Sequence, residues 1–159
     1  MEKLLSIISR EIGDAFEACG YERELGRVTV SNRPDLCEYQ CNGAMAGAKK
    51  YHKAPIMIAE EVVTKIPENG YISGAEAVKP GFINLKTNPA AVADYLNQME
   101  ADEKLGVEEV ENPKTIVIDY GGPNVAKPLH VGHLRSAIIG ESVKRITRFM
   151  GNKVVGDIH

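Results

Sequence analysis

No apolar run in this 159-residue chain approaches the roughly 20 residues that a membrane-spanning helix needs, so that class is not expected. The opening residues, Met1-Glu2-Lys3-Leu4-Leu5, are followed by charges and have no extended apolar core behind them. No export signal is therefore expected. Cysteine is scarce. Cys19, Cys37 and Cys41 are odd in number and form no CxxC pair, which argues against disulfides and fits a reducing, cytoplasmic setting. Internal repeats and low-complexity tracts are absent as well. What is present, 43% hydrophobic and 26% charged residues, is the composition of a soluble globular protein. The length suffices for one ordinary domain, or for a small domain with part of a second.

A net charge of −3 would discourage a nucleic-acid partner, but it averages two unlike stretches. Residues 1–112 carry 12 Lys and Arg against 19 Asp and Glu, a balance of −7. Residues 113–159 carry 7 against 3, a balance of +4. The second stretch is the one suited to an anionic ligand, although plain solvated helix faces give such balances too.

The chain opens on an amphipathic helical pattern. Leu4, Leu5, Ile8, Ile12, Ala15, Phe16 and Cys19 recur at three- and four-residue steps, and Gly20 is placed to end it. Val28 to Val30 reads as a short strand, with Leu36 to Gln40 as its partner across the turn Ser31 to Asp35. Helices follow at about 42–50 and 55–66, the second with Pro55 in a first-turn position. Tyr71 to Val78 and Phe82 to Lys86 form a second strand pair across Lys79-Pro80-Gly81. A further helix starts at Asn88-Pro89 and runs to about residue 103. Residues 1–105 thus make an α+β domain, and residues 106–113, acidic and nearly devoid of apolar side chains, make the linker.

From Thr115 the pattern changes. Thr115-Ile116-Val117-Ile118 is a continuous β-branched run of the kind buried on both faces of a parallel sheet. A loop from Gly121 to Pro128, a helix from about His130 to Met150 and a strand from Lys153 complete one βαβ unit. The unit stops after its first crossover, so residues 114–159 are expected to be the truncated start of a larger α/β domain.

In such folds ligands bind where strand ends meet helix starts, and Asp119 to His133 occupies that place. The first helical N–H groups favour an anion, Lys127 adds positive charge, and His130 and His133 sit three apart on one side of the first turn. Gly132 between them leaves the backbone open to a flat ligand. A P-loop is excluded, because Lys127 lacks the second glycine and the hydroxyl residue and precedes Pro128. A zinc site is not expected, since no nearby Cys or acidic residue completes a tetrahedral set with HxxH. Taken alone, two such histidines more often cap the helix start or pack beside it.

The longer string Asp119-Tyr120-Gly121-Gly122-Pro123-Asn124-Val125-Ala126-Lys127-Pro128-Leu129-His130-Val131-Gly132-His133-Leu134-Arg135-Ser136 resembles the first signature of class I aminoacyl-tRNA synthetases, in its arginine-specific form. That resemblance implies a Rossmann-type catalytic domain beginning at residue 114. It also implies ATP as substrate, with Mg2+ but no tightly bound metal, together with L-arginine and tRNA(Arg). His130 and His133 match histidines that contact the ATP phosphates, Gly132 the glycine under the adenine, and Lys127 a lysine near the phosphates. Asp119 and Asn124 match positions lining the amino-acid pocket. Gly121-Gly122 departs from the family, which more often has small hydroxyl residues there.

Tyr39-Gln40-Cys41-Asn42-Gly43-Ala44-Met45 and Gly81-Phe82-Ile83-Asn84-Leu85 resemble the extra N-terminal domain of the same family. Strand alternation puts Ile83 and Leu85 on one face and Phe82 and Asn84 on the other. A ring beside an amide suits an unpaired nucleotide, stacked on the ring and bonded at its edge. The resemblance implies a grip on the D-loop of the tRNA by Phe82 and Asn84, with Gln40 a further candidate. The alternative buries Phe82 under a helix and leaves Asn84 to cap a turn. The expectation is an arginine–tRNA ligase fragment, inactive by itself because the rest of the catalytic domain lies beyond His159. A stand-alone tRNA-binding module is the rival.

Overall fold

A computed structural model describes residues 1–67, 70–123 and 127–157. The chain divides into two compact units, one spanning Glu2–Asp102 and the other formed by Glu103–His159 with Met1.

The first unit is built on helix α1, Leu4–Ala18. Ile8, Ile12 and Phe16, one turn apart, are all fully buried, while Leu5 on the flank is 37% exposed. Full burial of each such side chain contributes about 2–3 kcal/mol. A 3₁₀ turn, Arg23–Gly26, leads to β1, Val28–Val30, and then to β2, Tyr39–Cys41. The partner strand thus begins three residues later than the expected Leu36, because Leu36 and Cys37 close a turn by donating N–H to the Arg33 carbonyl. Helices α2, Gly43–Tyr51, and α3, Pro55–Val63, follow, then the hairpin of β3, Ile72–Val78, and β4, Phe82–Thr87.

The four strands form one antiparallel sheet in the order β1-β2-β4-β3. Helices α1, α2 and α3 pack against it and against one another, and the core lies beneath them, with Ile58, Val62, Ile83, Leu85 and Cys41 sealed from solvent. Cys41 is chemically quiet, since burial pushes its thiol up to about 11. Helix α4, Pro89–Ala101, closes the unit. The Asn88 side chain caps it by accepting the Ala90 N–H at 3.1 Å.

The second unit contains β5, Thr115–Asp119, helix α5, Val131–Phe149, and β6, Lys153–Asp157. β5 and β6 pair in parallel, with Thr115 opposite Lys153 and Asp119 opposite Asp157. This is the expected βαβ order, but the expected two-sided burial of β5 is not observed. Val117 is 65% exposed, and of the apolar strand residues only Val154 is buried. Within this unit α5 packs against the pair. The fold is therefore α+β with a small parallel sheet. Within residues 106–113, Val110 N–H donates to the Met150 carbonyl at 2.9 Å.

Candidate functional site

The start of α5 is held by its own histidines. His130 is the N-cap residue, and its Nδ1 accepts the Gly132 N–H at 3.1 Å. His133, one turn on, returns the bond: its Nδ1 accepts the His130 N–H, also at 3.1 Å. Serine, threonine and glutamate usually form such a reciprocal box, and here two imidazoles form it. The rings stand 4.1 Å apart, centroid to centroid. A neutral imidazole that accepts at Nδ1 carries its proton on Nε2. Both histidines therefore offer Nε2–H donors, which no described residue takes up, at the positive end of a 19-residue helix.

Capping uses one nitrogen of each ring and leaves the other out of the box. Gly132 has a reason that spacing alone did not supply. A Cβ there would lie 2.8 Å from His130 Cε1, so the glycine makes room for the capping ring. Lys127 is exposed just ahead of the helix, and Asp119 is exposed at the carboxyl end of β5. Gly121 takes φ +77°, a conformation that side chains rarely adopt, so a residue with a side chain would be strained at this point. Asn124 lies outside the described residues.

Below the helix start runs a network that sequence reading missed. Tyr120 Oη donates to Glu141 Oε2 at 2.6 Å and accepts from Lys144 Nζ at 2.9 Å. Lys144 and Arg145 also reach Glu141 directly, at 2.5 Å and 2.8 Å. Hydrogen bonds from Lys144, Tyr120 and Arg145 hold the Glu141 carboxyl down at about 2. The spacing of Glu141 to Lys144 and Arg145 was a legible signal; the arrival of Tyr120 from 21 residues away was not.

The second candidate surface is the outer face of the antiparallel sheet. Thr29, Gln40, Asn84 and Glu76 stand opposite one another in successive strands, forming one row. Gln40 Nε2 donates to Asn84 Oδ1 at 2.9 Å, so the two amides named from the sequence act as one unit. Phe82 lies two residues along β4 on the same face, opposite Val78, and is half-buried. Asn84 caps no turn. Beside it a groove of about 210 Å³ is lined by Leu36, Gly74, Glu76 and Lys86.

Residues 2–87 match the arginyl tRNA synthetase N-terminal domain, and residues 95–159 match the catalytic domain of class I (R) tRNA synthetases. The arginine–tRNA ligase of Agathobacter rectalis is 57% identical over the whole chain, and that of Alkaliphilus oremlandii is 54% identical. The chain spans 27% of the length of each. Among solved structures, the arginyl-tRNA synthetase of Plasmodium falciparum aligns with a TM-score of 0.63 at 25% identity, covering 99% of this chain and 31% of that one. The Thermus thermophilus enzyme shares the fold at a TM-score of 0.57 and 23% identity, covering 97% of this chain and 25% of that one. Matched over more than half its length by the N-terminal domain of that family, the chain belongs to the arginyl-tRNA synthetases.

Proposed function

We propose that this chain supplies the N-terminal domain and the first part of the ATP site of an arginine–tRNA ligase. The reaction activates L-arginine with ATP and passes it to tRNA(Arg). The single observation that carries the reading is the histidine pair, whose Nδ1 atoms are used in the cap so that both Nε2–H groups are left to donate at a helix N-terminus. Such fixed donors stabilise charge that develops on phosphate oxygens, where each is worth ~3 kcal/mol.

In this reading the arginine carboxylate attacks the α-phosphorus of ATP, the bond to the bridging oxygen breaks, and pyrophosphate leaves. His130 and His133 steady the phosphate charge, Lys127 adds to it, and Gly132 underlies the adenine. Asp119 and Asn124 line the arginine pocket. The protein contributes alignment and charge, with no covalent partner. Mg2+ enters as the companion of ATP; among the described residues no group of three or more His, Cys, Asp and Glu side chains is placed to hold a metal ion.

Residues 1–105 form the tRNA-contacting domain, 106–113 the connection, and 114–159 the opening of a Rossmann-type catalytic domain. Phe82 and the Gln40–Asn84 pair hold an unpaired nucleotide of the tRNA. The setting is the cytoplasm; among the described residues no helix is long and apolar enough to cross a membrane.

The test is a chimera in which this chain replaces the segment it matches in the Agathobacter rectalis ligase. His133→Ala is expected to slow single-turnover adenylate formation about 100-fold, with a milder effect on arginine binding. An unchanged rate overturns the assignment.

A further inference from the structure

We infer that Tyr120 is a positioning residue that fixes the end of β5 against α5 and so aligns the two halves of the adenylation site. The inference rests on the function proposed above. Tyr120 directly follows Asp119, and its N–H extends the parallel ladder by donating to the Asp157 carbonyl at 3.0 Å. At Gly121, with φ +77°, the chain then turns away from the sheet into the signature loop.

Three features seat the Tyr120 side chain. Its ring lies against the backbone of Gly140, where a Cβ would stand 2.2 Å from Tyr120 Cγ. Gly156 of β6 leaves space on another side, where a Cβ would stand 3.3 Å from Tyr120 Cε1. The hydroxyl is gripped from both directions, donating to Glu141 and accepting from Lys144. The bonds from Lys144, Tyr120 and Arg145 favour the ionised carboxylate of Glu141.

Gly140 lies two helical turns beyond His133, on the same rigid helix. The Tyr120 contact is thus a fixed length between the strand end that carries Asp119 and the helix that carries His130 and His133. The histidine box is local to α5 and persists without it. Loosening Tyr120 is therefore expected to leave ATP binding intact while the carboxylate and the α-phosphate lose their alignment. Misplacements of about 1 Å cost on the order of 100-fold in rate.

The experiment uses the full-length chimera, assayed at least about 15 °C below its melting transition. Gly140→Ala expels the ring and is expected to lower the adenylation kcat about 100-fold, with the KM for ATP within about twofold. Tyr120→Phe keeps the ring and loses only the hydroxyl bonds; about a tenfold fall in kcat is expected, again without a change in KM. It remains informative if Gly140→Ala does not fold. A merely structural role would lower the melting temperature and leave kcat intact, and that result in both variants overturns the inference. His133→Ala in parallel separates the two levels. If it slows adenylation and the Tyr120 and Gly140 variants do not, only the positioning role fails. If His133→Ala is silent, the site assignment itself fails.

Discussion

The two units of this chain treat their apolar side chains in opposite ways. In Glu2–Asp102 the stripes of α1 and α3 and one face of the sheet meet in a single core, and among its described residues the large exposed apolar ones are Leu5, Val30, Leu36, Met57 and Leu96. In Glu103–His159 the apolar stripe of α5 remains open. Leu134, Ile138, Ile139, Val143 and Ile146 are each about half exposed, and Val117 and Val155 are uncovered on the sheet. Both units have strands and a well-formed amphipathic helix, so propensity does not separate them. What separates them is whether a second layer is present to bury the apolar face, and that layer, more than local pattern, supplies stability.

The largest expected effect follows from that contrast. Phe16→Ala removes a fully buried ring from the first core and should cost about 3–5 kcal/mol. Ile138→Ala, at a position 57% exposed on α5, should change stability by no more than about 0.5 kcal/mol. Urea unfolding followed by amide signals from each unit measures both. A comparable loss at Ile138 would show that the apolar face of α5 is covered in solution, and the contrast would collapse.

How much of this was legible in the sequence follows the same division. Periodicity gave the position of α1 because its stripe is met by a core, and alternation gave the inward pair Ile83 and Leu85 for the same reason. The run from Thr115 to Ile118 marked the strand but not its burial: Val117 is 65% exposed, because a β-branched run does not supply the layer that buries it. The pairing of Gln40 with Asn84 was out of reach for a different reason. Their strands, β2 and β4, are neighbours only in the order β1-β2-β4-β3, which no local signal dictates. At the candidate site the motif marked His130 and His133 together. Capping was one of the two readings of the pair, but its reciprocal form could not be read, since histidine is not among the usual capping residues. Tyr120 could not be tied to Glu141 without the fold.

A second measurement asks whether the start of α5 is an ordinary cap, as Asn88 is for α4. His130→Asn restores a strong capping side chain and removes the Nε2–H donor. In the chimera it should leave amide exchange at Gly132 close to the parent value while slowing adenylate formation about 100-fold. His130→Ala should lose the rate and, in addition, ~1 kcal/mol of helix-start stability. If His130→Asn retains the parental rate, the residue is a cap and nothing more, and the second unit would keep its open apolar face without the chemistry proposed for it.

The smallest effect tests the first unit from within. Its core is closed, but Glu11 on α1 is caught at the margin: Oε2 is buried and has no hydrogen-bond partner among the described residues. Burial raises the carboxyl above its ordinary value, against the opposing pull of a hydrogen bond to the Tyr71 backbone and the charge of Arg10. With the folded value above the unfolded one, the folded state holds the proton more tightly. Its contribution is fully present below the ordinary carboxylate value and is lost as the pH rises through the raised one. Asp35 and Glu61, both lowered by their cationic partners, act in the opposite sense and lose their contribution as the pH falls. Glu11→Gln isolates one group from the others: melting of Glu2–Asp102 between pH 4 and pH 7 should fall less steeply in the variant, which should be the more stable of the two at pH 7. Parallel curves for the two proteins would mean that Oε2 is solvated, and that the closed unit carries no polar penalty at this edge.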